Sequence, residues 1–163
     1  MNMKQKNNQK GFTIIEVVLV LAIAGLIFLM VFIALPALQR GQRDTQRRSD
    51  LGRISTQINS YSTNNRGDIP ASLGSGTFVA KYLGGAGVVA GDDYKDPTGI
   101  NYSFVDGTAP QLDTNANPAV AIISYAKGKI CGTDGAFASG APRQYALAMQ
   151  LESQTTPYCL DNR

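Results

Sequence analysis

The pattern of apolar and polar positions divides the front of the chain into two parts. Residues 17–38 contain no charged side chain, and about 20 apolar residues are enough to cross a bilayer once. After that stretch, apolar side chains recur three or four positions apart among polar ones, at Leu51, Ile54, Ile58 and Tyr61. This spacing places them on one face of a helix, so the second part predicts an amphipathic helix.

Together the two parts predict one continuous helix from about Phe12 to about Tyr61. Single glycines inside the second part do not stop it, since each costs about 1 kcal/mol relative to alanine. Pro36 removes one backbone donor, so we expect a kink or local opening there. The cluster STNNRGDIP at 62–70 ends the helix with asparagine, glycine and proline.

The remaining sequence predicts a small β-rich head. Residues 71–99 are rich in glycine and turn-forming residues, and we interpret them as a long loop with little regular structure. Alternating or β-branched apolar residues predict four short strands, at 100–105, 119–126, 144–152 and 158–160. Close turns favour an antiparallel meander with one face on the amphipathic stripe. The predicted fold class is α+β: a long N-terminal helix, half of it transmembrane, packed on a small antiparallel sheet.

Composition and charge limit the chemistry of the chain. There is no histidine, which excludes imidazole acid–base catalysis and imidazole metal ligands. The net charge of +3 comes from Lys4, Lys6 and Lys10, and the rest of the chain has twelve basic and twelve acidic side chains. This balance argues against a general affinity for nucleic acid, so direct DNA binding is not expected. The sequence has no phosphate-binding loop, metal–cysteine cluster or nucleophile elbow, so we do not expect an enzyme.

The residues on either side of the apolar stretch indicate whether the stretch is cleaved off or retained, and in which direction it crosses the membrane. The stretch is longer than the core of a secretory signal, about 7–15 residues, and no typical cleavage site follows it, which favours a retained anchor. Lysines before it favour a cytoplasmic front end, but arginines at 40–53 follow it. We place the larger part outside because large domains translocate with little regard to charge. Cys131 and Cys159 also suggest a disulfide from an oxidising compartment, with two buried cytosolic thiols as the alternative.

The sequence KGFTIIEVVLVLAI, at residues 10–23, combines a basic leader that ends in Gly11, then Phe12, an apolar run and the carboxylate of Glu16. With the long helix, the β-rich head and the late cysteine pair, this order resembles a type IV pilin. The strong similarity covers about residues 4–40 and is architectural beyond them. It implies that a prepilin peptidase cuts between Gly11 and Phe12 and that the new amine of Phe12 is N-methylated.

The resemblance also implies roles inside the helix. Glu16 would pair with the N-terminal amine of a neighbouring subunit during filament assembly, since an ionised carboxylate in a bilayer costs about 2.5–3.5 kcal/mol on insertion scales. The alternative is a Glu16 solvated by lipid headgroups. Gly25 and Pro36 would bracket a stretch that loosens in filaments, although the commonest family pattern has its proline at the position of Ile33. Close helix packing with Ala22 is the alternative for Gly25.

The resemblance implies a domain organisation and a function. The expected parts are a cytoplasmic leader at 1–11, a transmembrane and polymerisation helix at 12–38, its amphipathic continuation at 39–61, and a head at 62–163 whose C-terminal loop is bracketed by a Cys131–Cys159 disulfide. The implied function is a structural pilus subunit, stored in the cytoplasmic membrane and assembled into a surface filament for twitching motility, adhesion or DNA uptake. Its partners would be copies of itself, other pilins, the prepilin peptidase, the assembly platform and the motor ATPase. The alternatives are a pseudopilin of a type II secretion system and an uncleaved, membrane-anchored extracytoplasmic domain.

Three acidic side chains in one loop raise the question of a metal. Asp92, Asp93 and Asp96 offer the oxygen ligands that Ca²⁺ prefers. Their spacing does not match an EF-hand and Lys95 lies among them, so we prefer a solvated acidic turn and expect no cofactor. The arginines at 40–53 are expected to face headgroups or neighbouring subunits rather than DNA, and the Arg-Gly-Asp triplet at 66–68 is interpreted as a turn.

Overall fold

The computed structural model describes residues 11–74, 76–87, 89–111 and 121–163. The chain divides into two compact units, one that ends at Gln39 and one that comprises Arg40–Arg163. Helix α1 (Ile14–Asn64) is assigned without interruption and contains Pro36. The prediction of one long helix is therefore confirmed, within about three residues at each end. Melting between Gly25 and Pro36 during assembly stays a prediction, and all of the predicted leader before Gly11 lies outside the described residues.

The end of α1 is formed by the Arg-Gly-Asp triplet. Arg66 and Gly67 have positive φ values of 59° and 86°, and the Gly67 N–H donates to the Ser62 carbonyl at 2.8 Å. This bond, which reaches back into the last helical turn, is typical of a Schellman helix end. The triplet terminates the helix, in agreement with its interpretation as a turn.

The described part of the head contains a short helix and six strands. These are α2 (Thr77–Tyr82), β1 (Tyr102–Asp106), β2 (Ala121–Lys127), β3 (Lys129–Cys131), β4 (Phe137–Ser139), β5 (Tyr145–Met149) and β6 (Tyr158–Asp161). The prediction of little regular structure at 71–99 was wrong at α2, where Phe78 and Val79 are buried in the core. The start of the predicted strand at 119–126 lies outside the described residues.

The sheet has the strand order β1-β2-β5-β6, and β3 and β4 form a separate hairpin. β5 is antiparallel to both β2 and β6, as predicted. β1 instead runs parallel to β2, with Phe104 opposite Ile123, so the antiparallel meander was wrong for this pair. Residues 107–120 join the two strands, and parallel neighbours require such a connection, about a dozen residues or more.

One face of the sheet packs on the second part of α1. The helix contributes Leu51, Ile54 and Ile58, all fully buried, with Tyr61 packed beside them. The sheet contributes alternate side chains of β1, β2 and β5: Tyr102, Phe104, Ile123, Tyr125, Tyr145, Leu147 and Met149. Since alternate residues of a strand point to the same side, this arrangement confirms the α+β fold with the predicted helix stripe on the sheet.

The opposite face of β5 is also buried. Ala146 and Ala148 have no exposed surface, which the alternation of this strand did not predict. Cys159 is the partner of Ala148 in the neighbouring strand, so both lie on this face. A disulfide joins Cys159 to Cys131 of β3, and the Cys131 N–H donates to Asp161 Oδ2 at 2.7 Å. The β3–β4 hairpin is thereby attached over the outer face of the sheet.

Candidate functional site at the start of the helix

The first turn of α1 is closed by two side chains, Thr13 and Glu16. The Thr13 N–H and hydroxyl both donate to Glu16 Oε2, at 2.9 and 2.8 Å. In return the Glu16 N–H donates to Thr13 Oγ1 at 3.4 Å. This reciprocal pattern is a capping box, which satisfies backbone N–H groups that a helix leaves unpaired at its start.

The capping box gives the Glu16 carboxylate a partner in its own chain. Among the described residues its hydrogen bonds reach Oε2, and no cationic group lies within salt-bridge distance. Oε1 therefore remains able to accept a hydrogen bond from another molecule. Sequence reasoning missed Thr13, although the spacing T-x-x-E in TIIE was a sufficient signal for it.

Gly11 and Phe12 precede the helix and are exposed. A Cβ atom built on Gly11 would have no neighbour within 4 Å, so the described structure provides no steric reason for a glycine. Phe12 is 89% exposed. A requirement for a small residue at Gly11 must therefore come from a contact with another molecule, such as an enzyme that approaches the backbone closely.

The apolar half of α1 has no partner in the described chain. Every large apolar side chain from Phe12 to Leu38 is exposed, by between 48% and 89% of its surface. Gly25 in its middle also has nothing within 4 Å of a built Cβ atom. By length and composition α1 can cross a membrane, and a helix that is apolar on all sides must be covered by lipid or by other protein.

The predicted acidic cluster is not brought together as a metal site. Asp96 is buried and accepts bonds from Arg47 Nε at 2.5 Å and Arg47 Nη2 at 3.1 Å. Asp92 instead pairs at the surface with Lys95 at 3.1 Å. In the ranges that the structure describes, no group of three or more potential ligands is placed to hold a metal ion. The expectation of no cofactor, with calcium at Asp92, Asp93 and Asp96 as the less favoured alternative, stays an untested prediction.

Buried charges connect α1 to two distant loops of the head. Arg47 contacts Asp96 as well as Glu152, whose Oε1 lies 2.9 Å from Arg47 Nη1. Arg43 makes a bidentate hydrogen bond to Glu152: Nε donates to Oε1 at 2.8 Å and Nη2 donates to Oε2 at 2.6 Å. The expectation that the arginines at 40–53 face headgroups or neighbouring subunits was wrong for Arg43 and Arg47, because carboxylates far along the sequence fold onto them.

The carboxylates of this network have lowered pKa values. Burial raises the pKa of Asp44, but bonds from Ser153 and from the backbone of Glu152 outweigh it and hold the pKa below its ordinary value. Burial likewise opposes the lowered pKa of Asp96, which Arg47 and Thr98 maintain. The bond from Arg43 is the main cause of the lowered pKa of Glu152. All three groups are therefore ionised at neutral pH.

Comparison with known proteins bears on the amino-terminal segment. Residues 6–32 match the family model described as the prokaryotic N-terminal methylation motif. The chain carries the type IV prepilin signature. Comparison with curated proteins and with solved structures gave no match. The prepilin signature includes Gly11, Phe12, Thr13 and Glu16 and ends within the apolar half of α1, so the head lies outside it.

Proposed function

We propose that this protein is a structural subunit of a type IV pilus. A prepilin peptidase removes the leader between Gly11 and Phe12, the new amine is methylated, and the Phe12–Leu38 helix polymerises into a surface filament. The observation that carries the proposal is the match to the methylation motif at residues 6–32. The exposure of every large apolar side chain in this helix supports it, because such a surface needs lipid or helices of other subunits around it.

The geometry of the first turn suggests how processing and assembly are coupled. Before the cut, residue 12 has a peptide nitrogen and no positive charge. The cut creates an ammonium group one residue before the Thr13–Glu16 capping box. Glu16 Oε1 is the carboxylate oxygen that the box leaves without a partner, and it accepts a hydrogen bond from the ammonium group of a neighbouring subunit. A charge pair of this kind offsets the cost of a carboxylate in an apolar environment.

The filament also needs specificity that apolar contacts do not supply. Lipid tails are as apolar as leucine, so exchange of lipid for helix neighbours has little hydrophobic driving force. Small residues that allow close approach, such as Gly25, and polar pairs such as that of Glu16 therefore determine the packing. An assembly platform and a motor ATPase supply the work of extraction from the membrane.

Intact-mass measurement of the protein extracted from membranes tests the proposal. In a cell with a working prepilin peptidase, we expect loss of the first eleven residues and the gain of one methyl group. Gly11→Val should leave the precursor uncut because a side chain blocks the approach of the peptidase. Gly41→Ala is the matched control, since Gly41 also has nothing within 4 Å of a built Cβ atom, and it should be processed normally. Retention of the first eleven residues in the unsubstituted protein would instead indicate an uncleaved, membrane-anchored domain.

A pseudopilin of a type II secretion system has the same front end. Isolated extracellular fibres separate the two functions: immunogold labelling along the fibres supports a major pilin, and labelling at their ends supports a minor one. If no fibres contain this chain although the leader is removed, the pseudopilin alternative is favoured. Motility, adhesion and DNA uptake are then distinguished by deletion of the gene and assay of each activity.

A further inference from the structure

The β3–β4 hairpin is attached to the sheet by more than the disulfide. The Cys131 N–H donates to Asp161 Oδ2 at 2.7 Å, and the Cys131 carbonyl accepts from Arg163 Nη2 at 2.9 Å. Arg163 Nε also donates to Asp161 Oδ2 at 2.9 Å, which links the two side chains to each other. We define the clasp as the side chains of Asp161 and Arg163 in these contacts with the backbone of Cys131.

The clasp and the disulfide approach Cys131 from the same side of the sheet. Cys159 and Asp161 are two positions apart in β6, and they pair with Ala148 and Ala146 of β5, respectively. Since alternate residues of a strand point to the same side, both side chains lie on the outer face, where the hairpin is attached. A covalent bond and a set of hydrogen bonds therefore hold the same part of the hairpin.

The hydrogen bonds of the clasp are of the strong kind. Each of them has the Asp161 carboxylate or the Arg163 guanidinium as a partner, and bonds to charged groups are stronger than neutral ones. The Asp161 side chain is only 10% exposed, so salt and water screen it weakly. The other end of the hairpin is held by backbone bonds at Gly128, whose N–H donates to the Gln144 carbonyl at 2.6 Å. The clasp closes the end that carries Cys131.

We propose that the clasp docks Cys131 beside Cys159 before the disulfide exists, and thereby determines how readily the two thiols are oxidised. The two residues are 28 positions apart, and a flexible linker gives its ends an effective concentration in about the millimolar range. Groups held in a fixed geometry reach far higher effective concentrations. The head therefore folds first, and oxidation fixes an arrangement that the clasp has already made.

Oxidation of the two thiols proceeds by exchange with the disulfide of an external oxidant, either a small molecule or a protein. The thiolate of one cysteine attacks a sulfur of the oxidant, which forms a mixed disulfide and releases one thiolate. The thiolate of the second cysteine then displaces the remaining half. Two electrons pass from the protein to the oxidant, and the two protons of the cysteines end on its two thiols. The clasp acts on the second displacement, because that step takes place within the chain.

The coupling between clasp and disulfide is reciprocal. If the clasp favours the disulfide by a given factor, the disulfide favours the clasp by the same factor. The reduced chain is therefore expected to keep its hairpin docked through the clasp. A chain without the clasp depends on the disulfide alone.

The first test uses the full-length protein in neutral detergent, equilibrated with glutathione and glutathione disulfide. Trapping of free thiols followed by mass spectrometry gives the effective concentration of the Cys131 and Cys159 thiols. Arg163→Ala should lower it by about tenfold or more, as expected for lost bonds to charged groups. The variant should have no effect in concentrated urea, where the clasp does not form. Arg143→Ala is the matched control, since that guanidinium lies beside Gly67 instead, and it should behave as the unsubstituted protein does.

The second test is amide hydrogen exchange in protein without the disulfide. In Cys131→Ser/Cys159→Ser, the amide at position 131 should stay protected because it still donates to Asp161. Addition of Arg163→Ala should raise the exchange rate at that position by about tenfold. The amides of β5, in the centre of the sheet, are the internal reference and should not change.

Three results would overturn the proposal. These are equal effective concentrations in Arg163→Ala and the unsubstituted protein, an equal drop in Arg143→Ala, and an unprotected amide at position 131 in the serine variant. If circular dichroism shows that the serine variant is unfolded, the reduced unsubstituted protein replaces it. An unfolded reduced protein would mean that the disulfide precedes the clasp, which contradicts the proposal. None of these measurements depends on leader removal or on fibres, so their failure leaves the proposed function unaffected.

Discussion

The two halves of α1 belong to one helix but have opposite relations to the rest of the chain. Up to Leu38, every large apolar side chain is exposed, whereas Leu51, Ile54 and Ile58 have no exposed surface. The first half therefore offers an apolar surface that lipid or other protein must cover. The second half specifies the fold of the head. Apolar residues therefore have different roles in the two halves. The exposed fraction of each side chain in the folded chain distinguishes these roles.

Charged groups show the same difference. Within the chain, Glu16 accepts its hydrogen bonds from Thr13, three positions away. Arg47 is satisfied by Asp96, which is 49 positions away, and by Glu152. The first interaction forms as soon as the helix starts, and the second requires the complete head.

Removal of Arg47 should have the largest effect on the stability of the head. Arg47→Ala leaves the buried carboxylates of Asp44 and Asp96 without their cation, and loss of one partner of a buried pair costs about 3–5 kcal/mol. Tyrosine fluorescence during urea denaturation measures the change in the free energy of unfolding. Arg40→Ala, at an exposed position, is the control. An equal, small change in both variants would show that the buried network contributes little.

A matched pair of isoleucines compares the two halves directly. Ile54→Ala removes a fully buried side chain and should destabilise the head by about 2–5 kcal/mol. Ile27→Ala makes the same chemical change at a position that is 59% exposed, and the urea midpoint of the head should not move. A shift of that midpoint by Ile27→Ala would contradict the separation of roles between the halves.

Acid should weaken the head through its carboxylate network. The pKa values of Asp44, Asp96 and Glu152 are lowered in the folded state, and unfolded values are about 3.9 for Asp and 4.3 for Glu. Their contribution to stability is thus complete above about pH 5 and is lost as the pH falls through the lower, folded values. Urea midpoints between neutral and acidic pH measure this loss.

A variant and a control sharpen the pH experiment. Arg47→Ala should make the pH dependence shallower, because part of the cause of the lowered pKa values of Asp96 and Glu152 is gone. Asp92→Asn should leave it unchanged, since that side chain is 87% exposed. The opposite ranking of the two variants would mean that other groups dominate the acid response.

The smallest expected effect is at the capping box. Thr13→Ala should destabilise the helix start by about 0.5–2 kcal/mol, the usual cost of a lost cap, while Thr13→Ser retains the hydroxyl. Amide hydrogen exchange at Ile14–Val17 in micelles should speed up in the alanine variant, and the urea midpoint of the head should stay constant. Identical exchange in both variants would show that the box does not hold the first turn.

Sequence patterns located most of the elements of the head but not the parallel pairing of β1 with β2. The alternation at 144–152 correctly predicted β5, and the stripe of Leu51, Ile54 and Ile58 correctly predicted the buried face of α1. The direction of β1 relative to β2 is a long-range property of the sheet, which the pattern within each strand does not determine. Helix α2 was missed because its six residues are too few to show helical periodicity.

Local interactions explain why the amino-terminal segment could be understood without any structure. The capping residues lie within one helical turn, the apolar run is defined by composition, and the prepilin signature is a contiguous motif. The carboxylate network and the order of the strands combine residues that are tens of positions apart. Their energies depend on burial and distance, and both quantities exist only after the chain has folded.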